Sequence, residues 1–358
     1  MKQYISADAF KRSIIEALKE KQDFEPSLKL VRGFLSQAGP GTLNICRRRK
    51  YVSFLKYENG RQMPLRKSSS ELYRLARKRY LTQLLRILEL YDISSSYESR
   101  RIGSLLHERN QMVQKLMNLI DDYEKGNLNI ARIVMTPKQY NWYTKPFRQK
   151  TTPEASHNIT GGGVITRSKS EKELGNAFEY WAAFYHYEER MTIYVFELVK
   201  ALNSQVQEYY RKSRLNPPSQ LFYYSHGTCI WNVPPELQWM NAPGSCWRTY
   251  NERTGNLTIY NDFRFMTADS STVILEHEGL LDDFVYRNNA TERISLLKLT
   301  GALQDESIIE TSERETGDVN LIHTKIKVLH GFLGDWLRVA GNDKYFIIVK
   351  KCSSLRYP

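Results

Sequence analysis

The sequence predicts an α+β / α/β protein in two unlike halves: a helical, basic N-terminal region with a β-hairpin, then a core of order αβββαβ carrying a long insertion. Three observations predict it. Residues 1–150 hold 30 Lys+Arg against 14 Asp+Glu, whereas the rest of the chain holds 22 against 25. Apolar residues in the front half recur at helical spacing. In the back half a pair of alternating runs, Leu257–Phe265 and Thr272–Glu278, flanks a turn-rich break and reads as antiparallel strands.

A chain of 358 residues with 41% hydrophobic and 12% aromatic content can bury a real core. No apolar run reaches membrane-span length and the N-terminus lacks a signal-peptide core, so the expectation is a cytoplasmic protein without a membrane partner. Cys46, Cys229, Cys246 and Cys352 are scattered, which fits reduced thiols better than zinc. The net charge of +13, concentrated in the front half, points to a polyanionic partner.

Along the front half, residues 4–24 read as an amphipathic helix with Phe10, Ile14, Ile15 and Leu18 on one face. Gln37-Ala-Gly-Pro-Gly41 breaks the apolar segment that follows. Thr42–Lys67 then reads as a β-hairpin turning at Glu58-Asn-Gly60. Its cations are Arg47, Arg48, Arg49, Lys50, Lys56, Arg61, Arg66 and Lys67, against one acid, Glu58. The next helix, Ser70–Glu89, carries Arg74, Arg77 and Lys78 near its start. A basic two-stranded ribbon backed by a helix suits a nucleic-acid groove, with these cations on phosphates; a solvated basic face is the plain alternative. Ile102–Tyr123 has the apolar stripe of a helix packed on its predecessor.

Residues 131–166 read as a packed linker ending in a flexible joint at Gly161-Gly-Gly163, so the expected division is 1–130, a linker, a core over 167–325 and an extension over 326–358. Within the core, residues 189–256 are the expected insertion: a long helix over Met191–Lys212, then a Pro- and Trp-rich region whose Trp231, Trp239 and Trp247 pack a small core or stack on bases. Gln304–Asp318 reads as a solvated acidic loop, Val319–His323 as the last core strand, Tyr345–Val349 as a further strand and 324–340 as a helix or irregular cover.

The chemistry concentrates in the alternating runs. A turn centred near Asp269 sets Asp262 opposite Glu276, with Phe263, Phe265, Val273 and Leu275 on the buried face and Asp262, Arg264, Glu276 and Glu278 on the other. Opposed carboxylates need a cation, either Arg264 on a solvated face or a bound Mg²⁺. Glu171 has two readings as well, because Ser168-x-x-Glu171 is a capping box.

Arg167-Ser-Lys-Ser-Glu171, Asn261-Asp-Phe263, Glu276-His-Glu-Gly-Leu-Leu-Asp-Asp283, Tyr286 with Asn289–Ile294, and Asn320-Leu-Ile322 together resemble the PD-(D/E)XK nuclease superfamily. Within it they resemble bacterial proteins that join a basic N-terminal region to a nuclease-like C-terminal one. The resemblance implies a restriction-endonuclease-like core and a metal-dependent nuclease acting on nucleic acid, DNA above all. It implies Glu171, Asp262 and Glu276 as ligands of Mg²⁺ (or Mn²⁺). The superfamily places a lysine two residues after the third acid; here Glu278 stands there, so Lys169 or Arg293 would have to supply the positive charge. A catalytically silent nucleic-acid binder and a protein-interaction scaffold are the competing readings.

Overall fold

The computed structural model describes residues 5–20, 24–49, 51–95, 102–150 and 158–194, and beyond them 211–213, 222–225, 228–231, 251, 254, 256–266, 270, 272–278, 290, 293, 306–312, 326–328, 337–339 and 346–349. It is a mixed α+β fold, and among the described residues no helix is long and apolar enough to cross a membrane.

The front half begins with helices α1 (Ala7–Glu20) and α2 (Glu25–Ser36), as the apolar spacing predicts. The expected hairpin gains a third strand: β1 (Thr42–Arg47), β2 (Val52–Glu58) and β3 (Arg61–Pro64) form an antiparallel meander. Asn59 and Gly60 both take positive φ, 49° and 75°, the backbone that lets a two-residue turn follow the twist of its strands. Two long helices follow, α3 (Ser70–Ser95) and α4 (Ile102–Lys125), packed on each other. Leu72, Leu75, Leu84, Leu88, Leu116 and Ile120 of these helices bury fully in the front core, each burial worth about 2 kcal/mol.

Inside 131–166 the structure has more order than a linker requires. Helices α5 (Ile130–Val134) and α6 (Pro137–Thr144) occupy it, and Ile133, Val134 and Met135 belong to the front core. Thr136 and Gln139 make a reciprocal capping box that starts α6 with Pro137 in its first turn. The triple glycine is a tied turn rather than a free joint: Gly162 N–H donates to Glu179 Oε2 at 2.6 Å and Thr160 Oγ1 donates to Glu179 Oε1 at 2.6 Å.

The back half opens with α7 (Lys169–Tyr180) and β4 (Tyr185–Tyr187). The long helix expected from Met191 is corrected at its start, because Arg190–Tyr194 is a strand, β5. Beta-branched and aromatic residues there answer a partner that the helical stripe ignored. Next come β6 (Phe222–Ser225) and β7 (Thr228–Trp231), an antiparallel pair holding Trp231; Trp239 and Trp247 lie outside the described residues. The run 257–265 divides into β8 (Asn256–Tyr260), paired with β5, and β9 (Phe263–Met266), paired with β10 (Thr272–Glu278) and β4. The break falls at Asn261–Asp262.

The strand parallel to β10 is β11 (Glu306–Ser312), in the stretch expected to be a solvated loop. Its centre, Ser307-Ile-Ile309, is apolar enough for an inner strand, and the flanking acids hid it. The expected strand 319–323 and the helix 286–299 fall outside the described residues, apart from Ala290 and Arg293, both helical. The expected cover over 324–340 contains a strand pair, β12 (Ile326–Val328) with β13 (Leu337–Val339), and β14 (Phe346–Val349) completes a five-stranded sheet of order β14-β11-β10-β9-β4. Phe178 of α7 seals one face of that sheet, meeting Phe263 and Phe265 edge-on with centroids at 5.1 and 5.0 Å.

Gly126 follows α4 where the Phe54 ring crosses it, and a Cβ there would sit inside the ring's van der Waals envelope. Gly126→Ala is therefore expected to destabilise the fold by about 2 kcal/mol, read as a lower urea midpoint with an unchanged slope.

Candidate functional site

The pairing of β9 with β10 runs Phe263↔Leu275, Phe265↔Val273, so Asp262 falls level with Glu276 as the expected turn requires. The apolar members of these strands pack beneath α7 with Tyr185 and Tyr187. The two acids meet where β9 begins. Asp262 N–H donates to Glu276 Oε1 at 3.2 Å, and His277 N–H donates to Asp262 Oδ2 at 2.8 Å. Arg293 bridges both, with Nη2 at 2.8 Å from Glu276 Oε2 and 3.5 Å from Asp262 Oδ2. Glu276 is fully buried. Desolvation pushes its carboxyl well above the usual range, Arg293 opposes that, and Asp262 and Glu171 add to it.

Glu171 is placed differently. Its Oε2 accepts from Ser168 N–H at 2.7 Å, Arg167 N–H at 3.1 Å and the Tyr187 hydroxyl at 3.1 Å. With Ser168 Oγ accepting from Glu171 N–H, this is the complete capping box. Glu171 thus stands at the start of α7, within electrostatic range of Glu276 but bound to the helix terminus.

Four neighbours were not among the site residues expected from the sequence, although Arg167 opens the motif that ends at Glu171. Glu188, 3% exposed, takes a positive φ of 51° just after β4, and its Oε1 lies 2.7 Å from Arg167 Nε. Burial raises its pKa to about 7 against the pull of Arg167, with Glu171 and Asp262 reinforcing the rise. Its N–H donates to the Asp262 carbonyl at 3.1 Å, which ties the two acids' backbones together. Lys150 completes the group, held below the ordinary ammonium range by desolvation and by Arg167 and Arg293, with Glu188 and Asp262 opposing. Tyr187 and Arg167 are the remaining two. They become neighbours only when β4 and the approach to α7 converge.

Whether this group suits a divalent cation can be tested on its oxygens. Glu188 Oε2 and both side-chain atoms of Asn261 are buried without a hydrogen-bond partner among the described residues, and two carboxylates converge beside them. Among the described residues no three of Asp, Glu, His or Cys are placed to hold one ion. The set therefore does not fit a closed three-carboxylate cage. Mg²⁺ is commonly held by only one or two carboxylates and completes its shell with water and substrate phosphate. Asp262 and Glu276 would be those ligands. Lys169 is exposed on the first turn of α7, and Arg293 is the cation that reaches the pair. Glu278 keeps its place two residues beyond Glu276 on the same strand.

The basic residues of the front half separate into two groups. Arg47 grips buried Asp122 through two bonds of 2.8 and 2.7 Å, and Lys56 pairs with Glu58 and Glu71 at 2.7 and 2.6 Å. Arg74 donates to the carbonyls of Ala38 and Pro40, Lys78 to those of Gly39 and Gly41, and Arg77 to that of Ile133. Arg48, Arg49, Arg61, Arg66 and Lys67 are exposed, while Lys50 lies outside the described residues. Because Leu65 N–H donates to the Phe54 carbonyl, the chain after β3 runs back toward the β1–β2 turn. Arg66 and Lys67 thus come to the same end of the meander as Arg48 and Arg49. Arg61 is at the other end.

No family model, no curated protein and no solved structure matches the chain. The site is therefore read from its own geometry.

If Glu171 acts as a cap, Glu171→Ala lowers stability by about 1 kcal/mol, and the loss is equal in Mg²⁺ and in EDTA. A melting-temperature difference between variant and parent that grows on adding Mg²⁺ would make Glu171 a ligand instead.

Proposed function

We propose that the protein binds nucleic acid and hydrolyses its phosphodiester bonds, with the Asp262–Glu276 pair as the reactive centre. The observation that carries this reading is the convergence of two buried carboxylates from adjacent strands, with Arg293 on both and Lys150 and Glu188 beside them. When bound there, Mg²⁺ or Mn²⁺ would supply Lewis-acid chemistry and an activated water for attack on phosphorus.

The chain's own residues divide the remaining work. Arg293 and Lys150 offer positive charge for a phosphate, the role that Glu278 cannot fill. Glu188, poised near neutrality, can take up or release a proton at Oε2. The backbone N–H of His277 holds Asp262 by donating to its Oδ2. The exposed Arg48, Arg49, Arg66 and Lys67 would track the phosphate backbone from the end of the meander. DNA is the proposed substrate, and the sequence resemblance to PD-(D/E)XK nucleases supports both the core and the chemistry.

A second reading has its own observation. Arg293 already neutralises both carboxylates, which suits a silent binder that keeps the pair as a structural ion bridge. The deciding experiment incubates the intact protein with single- and double-stranded DNA and RNA in Mg²⁺, Mn²⁺ or EDTA. Cleavage is expected with a divalent cation, and Asp262→Asn and Glu276→Gln should each reduce it at least about a hundredfold. Binding that persists without cleavage across all substrates and metals would establish the silent binder.

A further inference from the structure

Away from the acid pair, α2, α3, α5 and α6 line a half-open cavity of about 360 Å³. Among the described residues four cations line it, Arg74, Arg77, Lys78 and Arg132, and no Asp or Glu does. Arg74 has a counter-charge in Glu71 at 3.6 Å, but among the described residues no carboxylate pairs with Arg77, Lys78 or Arg132, although each cation withdrawn from water calls for one.

Arg77 makes the imbalance concrete. It donates to the Ile133 carbonyl at 3.3 Å and lies 5.3 Å from the centroid of the Phe34 ring. Among the described residues no carboxylate pairs with it, and burial pulls its pKa down to about 10. Lys78 donates at 2.7 Å to Gly39 O and 3.1 Å to Gly41 O, which are neutral acceptors that leave its charge in place. Gly39 and Gly41 take φ of 69° and 87°, and that backbone turns these carbonyls onto α3. Arg132 lies 4.1 Å over the Tyr73 ring, so it too is balanced by π density and not by an anion.

The shape and the other walls narrow the anion. The volume exceeds what inorganic phosphate fills and falls in the range of about 300–1,000 Å³ common to small-molecule sites. Phe34, Tyr73 and Tyr140 add ring surface, and Gln37, Ser70 and Asn141 add neutral donors and acceptors. Cations beside aromatic faces match a phosphate joined to a flat heterocycle. We propose that this cavity binds a nucleoside phosphate, with Arg77, Lys78 and Arg132 on the phosphate and an aromatic wall against the base. The group can arrive as a free nucleotide or as the phosphorylated end of a strand. This site is independent of the Asp262–Glu276 reading.

Calorimetric titration of the intact protein tests it with AMP, adenosine and inorganic phosphate, and with short single strands bearing a 5′-phosphate or a 5′-hydroxyl. AMP is expected to bind at least about tenfold more tightly than adenosine or phosphate alone. Arg77→Met should weaken AMP about tenfold or more while leaving the ligand-free melting temperature equal or higher, since it removes a buried charge that the empty site leaves unbalanced. Arg132→Gln, at a less buried position, should weaken AMP with the fold unchanged. A 5′-phosphorylated strand that displaces AMP, where its 5′-hydroxyl counterpart does not, assigns the strand end as the source; AMP binding with no such displacement assigns the free nucleotide. Absence of binding by both AMP and the phosphorylated strand overturns the proposal. So does AMP affinity unchanged in Arg132→Gln together with a lowered melting temperature in Arg77→Met, which would make Arg77 a structural brace.

Discussion

Register between β9 and β10 is the constraint on which the back half depends. Side chains alternate across a strand, so a slip of one residue would send Phe263, Phe265, Val273 and Leu275 to the wrong face and bring Asp262 and Glu276 under α7. The apolar set supports this register because it places Phe263 and Phe265 against Phe178 and Tyr185. The carboxylates are carried into proximity as a consequence, at a cost that Arg293 and the two backbone N–H donors offset. The site is thus a by-product of a hydrophobic decision, and its charge balance is a local repair.

In the front half, positive charge is used differently. Arg47, Lys56, Arg74, Arg77 and Lys78 are as basic as Arg48 or Lys67, yet they are tied to carboxylates or carbonyls of neighbouring loops and helices. Asp122, Glu58 and Glu71 offset Arg47, Lys56 and Arg74, whereas the carbonyls that hold Arg77 and Lys78 keep those cations in place without cancelling their charge. Charge density along a chain therefore reports two distinct things, a surface that meets solvent and a scaffold that has not been neutralised. The end of the meander is the first, and the cavity lined by Arg77 is the second.

Helices α3 and α4 were legible because their apolar spacing is long and regular, and the Glu58-Asn-Gly60 turn because its residue types suit positive φ. The pairing of Asp262 with Glu276 was legible for a related reason: two alternating runs around a short break leave few registers. Glu171 carried two readings in the sequence, and in the structure its Oε2 accepts three hydrogen bonds, two of them from the backbone at the start of α7. The failures have equally local causes. Met191 to Tyr194 continues a helical stripe in sequence but finds β8 in space, and Glu306–Ser312 looks solvated until β10 and β14 flank it.

The sequence by itself determined the uneven charge, the helical front, the strand pair and the identity of the two facing acids, all of which rest on spacing within about twenty residues. Tertiary structure decided that Arg293 rather than Lys169 meets those acids, that Glu188 and Lys150 join them, and that Arg77 is half-buried with no carboxylate paired to it among the described residues. The reason is physical. Periodicity says which face of an element is apolar, but the electrostatics of a buried group depend on every element that closes over it, and those come from distant stretches of the chain.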